Sequence, residues 1–232
     1  MTPAASGPGV PAAEAAPPAP QPANPEAGPR PAVGSPSPSP RPEHFPHLLP
    51  ELTDGRVLLR GWKLSDAAAL TAMAREDQCQ RWCIGLPRPF SLVDAQHFIG
   101  TSKSAWELWG MARFAVVAAA DQSLLASVAI KPLPEASGEI GYMAATGARG
   151  RGFTAAALRL LAGWAFAALR MERLEALIQP ANEASIRTAE RAGFSTDGTS
   201  RICCSLSGER HAHVVYVLPR TGSVPVDGSS AR

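Results

Sequence analysis

Proline is segregated in this chain: sixteen of its 23 prolines fall within residues 1–50, leaving seven for the remaining 182 residues. Residues 1–40 also contain no aromatic residue and only three charges, Glu14, Glu26 and Arg30. Such a stretch cannot bury enough apolar surface to offset the entropy of ordering it. Residues 1–50 are therefore predicted to form a disordered Pro/Ala-rich tail, semi-extended through the Ser-Pro repeats at 35–40. Residues 53–220 then make one domain of ordinary size, and 221–232 a second disordered tail. Thirteen of the 14 aromatic residues lie in that domain, Phe45 being the exception. A coiled coil, a solenoid and a small disulfide scaffold are all excluded.

The formal charge of +2 divides into −2 for residues 1–52 and +4 for the rest. A mild positive excess suits a small anionic ligand and is too weak for a nucleic-acid footprint. Cys79, Cys83, Cys203 and Cys204 show no framework spacing, so reduced thiols and a cytoplasmic location are expected. The first Lys or Arg is Arg30, which argues against a secretory signal. The longest apolar run, Leu158 to Leu169, is too short to cross a bilayer and carries Arg159, so no membrane association is expected.

Along the domain, Arg56–Trp62 reads as a strand. Ser65 is placed to cap a helix running to Arg75, and Ser91 with Asp94 to open another through Trp109. Strands are predicted over Arg113–Ala119, Leu124–Lys131 and Gly138–Ala145, then a helix over Thr154–Leu169. A buried strand, Leu174–Ile178, a helix, Glu183–Ala192, and a hairpin over Phe194–Leu206 and Glu209–Leu218 complete the order. The fold class is α+β with a mixed sheet.

The chemistry is concentrated between Glu139 and Phe194. A strand leads through Arg149-Gly150-Arg151-Gly152-Phe153-Thr154 into a long apolar helix. Glycines let main-chain N–H groups approach a ligand, and a first helical turn presents unpaired amides at the positive end of the dipole. Arg149 and Arg151 add full charge where a pyrophosphate would sit. The spacing fits neither a Walker A loop nor a dinucleotide fingerprint. Taken alone, such a loop serves equally well as a tight connection.

The neighbouring motifs carry a resemblance. Arg149 to Thr154 looks like the Q/R-x-x-G-x-G/A acetyl-CoA loop of the GCN5-related N-acetyltransferases. Asn182-Glu183-Ala184-Ser185 with Glu190-Arg191-Ala192-Gly193-Phe194 resembles the N-x-x-S…E-[KR]-x-G-F signature of the branch of ribosomal-protein N-terminal acetyltransferases (RimJ/RimL-like). Glu139-Ile140-Gly141-Tyr142 is similar to the E-I-G-Y strand of that branch, and Arg81-Trp82…Pro87-Arg88-Pro89-Phe90…Asp94-Ala95 to its early helices.

The resemblance implies a mostly antiparallel sheet with helices on both faces, splayed between the fourth and fifth predicted strands. It implies acetyl-CoA as cosubstrate, a primary amine as acceptor (the N-terminus of a protein or peptide or, alternatively, a small amine such as an antibiotic, a polyamine or an amino acid), no metal, and a monomer or homodimer. Tyr142, Arg149 to Thr154, Asn182 and Ser185 become cofactor-binding residues, and Trp82 a wall of the acceptor cleft. Acyl transfer goes directly to the amine, consistent with the lack of a Ser/His/Asp or Cys/His constellation. Glu139 is the implied water-linked general base, against a plain reading as a strand-end carboxylate or ion pair. Many members place a tyrosine acid where this chain has Ala189, which leaves Ser185 as the candidate donor to the leaving thiolate. Ser185 and Asn182 also read simply as capping residues. Thr154 departs from the small residue ending the loop, and Ala212 from the aspartate of a D-H-x-x-Y strand. Metal sites built from His211 and His213 with Cys203 or Cys204, or from Cys79, Cys83 and His97, are weak alternatives.

Overall fold

The computed structural model describes residues 40–220. Two short strands, β1 (Leu52–Thr53) and β2 (Val57–Arg60), lead through a 3-10 turn into the helices α1 (Ala67–Arg75), α2 (Asp77–Trp82), α3 (Leu92–Gly100) and α4 (Ser102–Trp109). A meander of β3 (Ala112–Ala118), β4 (Leu124–Leu133) and β5 (Ser137–Ala144) follows, then α5 (Phe153–Ala168), β6 (Arg173–Ile178), α6 (Glu183–Arg191) and the hairpin β7 (Ser195–Cys204) and β8 (Arg210–Pro219). All eight strands form one sheet in the order β1-β2-β3-β4-β5-β6-β8-β7, antiparallel except for β5 with β6. The expected α+β class with a mixed, mostly antiparallel sheet is what the chain adopts.

α5 is nearly all alanine and leucine on the faces it buries, and such side chains lose little entropy in a helix. It closes the main core, in which Leu158, Leu161 and Trp164 meet Phe114, Val128 and Ile140 from the sheet. A second core sits among α1, α2 and α3, where Leu70, Met73, Cys79 and Ile99 pack with Trp62 and Met143. Arg60 ties the two regions: its guanidinium donates to both oxygens of Asp66, at 2.8 and 3.0 Å, with both side chains almost fully buried.

The parallel pairing of β5 with β6 is short. It covers Ser137 to Glu139 against Arg173 to Glu175 and then stops. β5 keeps its pairing with β4 through Ala144, and β6 its pairing with β8 through Ile178. From Ile140 onward the two strands therefore diverge as a wedge, each with one backbone edge turned to the gap. This is the splay expected between the fourth and fifth predicted strands, which are β5 and β6 once the unpredicted β1 is counted. At the closed end the fit is tight. A Cβ on Gly138 would stand 2.7 Å from Met171 Sδ and 2.9 Å from Ile130 Cδ1, so any side chain there forces those buried side chains to shift.

Three expectations need correction. The predicted tail reached residue 50, yet Phe45 is buried and stacks on Trp106 at 5.8 Å, while Arg41 N donates to Leu108 O at 2.9 Å. Phe45 is joined in holding this segment by the Trp106 indole, which donates to His47 O at 3.0 Å, and by His44 Nε2, 3.0 Å from Leu169 O. The predicted 1–39 and 221–232 tails lie outside the described residues. The single helix from Ser91 to Trp109 is broken at Thr101, whose hydroxyl donates to His97 O at 2.8 Å, with Ser102 Oγ donating to Phe98 O at 2.7 Å. Hydroxyls that bond back to the preceding turn loosen a helix at such points. Ser65 does not cap α1; the N-cap residue is Asp66, whose carboxylate makes no bond to α1 and instead accepts from Lys63 N at 2.9 Å across the 3-10 turn. The predicted reciprocal cap at Ser91 and Asp94 does form.

Candidate active site

The open end of the wedge is a cavity of about 470 Å³. One wall is the turn before α5. Gly150 and Gly152 hold φ of +73° and +79°, left-handed values that a side chain resists. A Cβ at either glycine would meet nothing within 4 Å, so the backbone faces open space. Gly152 is the N-cap of α5 and offers no side-chain acceptor, and the first-turn amides that follow it have no intrahelical partner. Unsatisfied N–H groups in an open, glycine-lined cradle fit a phosphate. Thr154 is buried and also lines the cavity.

Tyr142 forms a second wall, pointing from β5 across the gap to α6. Its hydroxyl donates to Ser185 O at 2.9 Å and accepts from Ser185 Oγ at 2.8 Å. Burial pushes the phenol up to about 12, offset in part by the Ser185 bond and reinforced slightly by Tyr216. Asn182 caps α6, its Oδ1 accepting from Ser185 N at 3.2 Å. Its NH₂ keeps no partner among the described residues.

α2 supplies the remaining wall, with Gln78, Cys79, Trp82 and Cys83. The Trp82 indole donates to Gln78 Oε1 at 2.9 Å under the Arg81 guanidinium. Glu76 fastens this wall to the glycine-lined turn. It accepts from Thr146 N at 3.0 Å and Thr146 Oγ1 at 2.7 Å, and it pairs with Arg149. Arg149 also donates to Ala144 O at 2.9 Å and, weakly, to Cys79 Sγ at 3.8 Å. The neighbouring Cys83 thiol pulls the Cys79 thiol below its ordinary range against the effect of burial, and Cys83 is pushed up in turn.

Of the residues singled out by sequence, the cavity therefore gathers Tyr142, Arg149, Gly150, Gly152, Thr154, Asn182, Ser185 and Trp82. Arg151 and Phe153 do not line it; they stack on each other at 4.7 Å outside it. Glu139 does not line it either. It is the last residue of β5 paired with β6 and forms an ion pair with Lys131 at 3.3 Å, its side chain partly exposed. On the far hairpin His213 is buried, with Nδ1 3.0 Å from His211 O, and burial pulls its imidazole below the ordinary value. No cluster of three or more His, Cys, Asp or Glu suited to a metal occurs among the described residues.

Residues 56–195 match the family described as "Acetyltransferase (GNAT) domain". The chain belongs to the GNAT acetyltransferase family. The "Probable N-acetyltransferase YjcK" of Bacillus subtilis is 30% identical over 108 residues, which are 45% of this chain and 60% of that protein. YdaF of the same organism, provisionally named a ribosomal N-acetyltransferase, is 33% identical over 100 residues, 42% of this chain and 55% of the relative. The matched segment thus spans little more than half the length of these relatives. Mycobacterium smegmatis RimJ in complex with CoA-disulfide shares the fold, with a TM-score of 0.60 and 22% identity over 73% of this chain and 85% of that one.

Within this GNAT domain, Ala189 is fully buried, so no hydroxyl enters the cavity from that position. Tyr142 is the cavity's phenol. Glu76, Cys79 and Cys83 were not assigned to the cofactor cavity from sequence. The four-residue spacing of Cys79, on α2, and Cys83, at its C-cap, was the signal for the cysteines.

Proposed function

We propose that this chain is an acetyl-CoA-dependent N-acetyltransferase of the RimJ/RimL-like branch that acts on a primary amine, namely the N-terminal amine of a protein or peptide. The observation that carries the proposal is the wedge between β5 and β6, which opens directly onto the glycine-lined cradle of α5. Acetyl-CoA supplies the acetyl group as a thioester. The free backbone edge of β5 beyond Glu139 offers N–H and C=O groups to an extended chain, as a sheet edge does in strand addition. The amides of Gly150 to Ala155 suit the diphosphate, and the Asn182 NH₂ a neighbouring carbonyl.

Alignment of amine and thioester is the main contribution, since effective molarities reach ~10⁵ M or more for well-oriented partners. A peptide N-terminus, with pKa ~7.7–8.0, needs little help from a base near neutral pH, whereas a lysine at ~10.4 needs more. Glu139 is the proposed proton acceptor, working through water from the vertex of the wedge. Ser185, on turning its hydroxyl proton away from Tyr142, is the proposed hydrogen-bond donor toward the leaving thiolate. The ribosomal name of YdaF supports a protein N-terminus as acceptor and, with it, a cytoplasmic location.

A second reading, an acyl-CoA-binding module without transferase activity, is favoured by the buried Ala189. Release of free thiol from acetyl-CoA separates the two. Amine-dependent release with N-terminal peptides supports the proposal. Tight CoA binding without release across peptides, polyamines and aminoglycosides refutes it. Glu139→Gln is expected to lower turnover mainly at low pH with CoA affinity unchanged; a pH profile identical to wild type removes Glu139 from the mechanism.

A further inference from the structure

A second cavity of about 230 Å³ lies between the 47–49 segment, the end of β2, α3 and α4, and shares no lining residue with the first. Leu49, Ile99 and Trp106 make it apolar, and Arg113 and Lys103 bring positive charge. Among the arginines that are not exposed, Arg60 is paired with Asp66, Arg149 with Glu76 and Arg173 with Glu175, while Arg41 donates to the main-chain oxygens of Phe45, Pro46 and Glu107. Arg113 is partly buried and has no carboxylate partner among the described residues.

Its contacts are long. Arg113 Nη1 is 3.4 Å from Phe98 O and 3.3 Å from Thr101 Oγ1, and Nη2 is 3.5 Å from Met111 Sδ. The Phe98 ring lies 4.7 Å below the guanidinium. Ordinary N–H···O bonds fall near 2.9–3.0 Å, so the two bonds to oxygen are weak, and two of the five N–H donors of the fork have no partner among the described residues. Desolvation alone acts on its ionisation, lowering its pKa with no anion to compensate. The Trp62 indole N–H, on the same wall, is buried without an acceptor. Glu107 is the one acidic residue lining the cavity, and it stands 3.7 Å from Lys103. Donors outnumber acceptors, and the surplus cation is desolvated.

We infer that this cavity binds a small carboxylate with an apolar body, its carboxylate on Arg113 and its body against Leu49, Ile99 and Trp106. A desolvated guanidinium is costly without a counter-ion, and a carboxylate matches its fork with two parallel bonds. Apolar walls around one such group are what orient small ligands. The inference is independent of the acetyltransferase reading.

Benzoate is a suitable probe and benzamide its neutral counterpart. Binding to the full chain is read by calorimetry and by tryptophan fluorescence, since Trp62 and Trp106 line the site. Saturable one-to-one binding of benzoate, at least about tenfold tighter than benzamide, is expected, tenfold being about 1.4 kcal/mol. Arg113→Met should abolish that preference while CoA affinity is unchanged. Arg113→Lys, which keeps the charge but loses the fork, should fall between. Equal binding of the two probes, no saturable binding of benzoate, or an unchanged preference in Arg113→Met overturns the inference. If Arg113→Met does not fold, the probe pair on wild type and the Arg113→Lys variant decide.

Discussion

Replacing Tyr142 by Phe removes both bonds that join β5 to α6 across the wedge. The hydroxyl donates to Ser185 O at 2.9 Å and accepts from Ser185 Oγ at 2.8 Å. A net contribution of about 1 kcal/mol per bond gives a loss of about 2 kcal/mol. Ser185→Ala removes only the second bond and should cost about 1 kcal/mol. The double variant has no more to lose than Tyr142→Phe alone, so it should also sit near 2 kcal/mol. The singles then sum to about 3 kcal/mol against about 2 kcal/mol for the double, a coupling of about 1 kcal/mol in magnitude. Urea unfolding of the four proteins measures this directly. Thermal unfolding should show a parallel drop of about 4–8 °C for Tyr142→Phe, at about 2–4 °C per kcal/mol for a domain of this size. Additivity within about 0.3–0.5 kcal/mol would mean that the two hydroxyls do not meet in solution. The wedge would then be held by something other than this pair.

Two further outcomes follow from the packing and the charges. Gly138→Ala forces a methyl against Met171 Sδ and Ile130 Cδ1 and should destabilise by about 1–3 kcal/mol, the range for overpacked cores; unchanged urea stability would show that the closed end of the wedge is looser than described. His213 has a folded-state pKa below its unfolded value of about 6.5. Its contribution is therefore present above about pH 6.5 and lost as pH falls toward and through the folded value. His213→Gln should flatten the decline in stability between about pH 7 and 5, and parallel curves for variant and wild type would contradict that.

Much of the glycine-lined turn was legible because it is local. Two glycines at left-handed φ followed by an apolar helix form a contiguous pattern, and so do the Ser91–Asp94 cap and the strand alternation around Ile140 and Tyr142. The partners of the site residues were not legible, because they come from far along the chain. Glu76 and Arg149 are 73 positions apart, and Tyr142 and Ser185 are 43 apart. Only the packed sheet brings them together. Arg149 illustrates the cost of reading locally: it looked like free charge for a ligand, yet its guanidinium is tied to Glu76 and Ala144 O. Phe45 shows the same thing at the edge of the domain. Composition placed it in a proline-rich tail, and its stacking on Trp106, with hydrogen bonds from the same segment to Leu108, Leu169 and Trp106, overrode composition.

The central claim is that the turn before α5 grips a diphosphate and sends the rest of the ligand between β5 and β6. A crystal structure of this chain with coenzyme A tests it most directly. The account predicts diphosphate oxygens accepting bonds from main-chain N–H groups between Gly150 and Ala155, with β5 and β6 still apart beyond Glu139. A ligand bound away from that turn, or β5 and β6 paired through to Ala144, would contradict it.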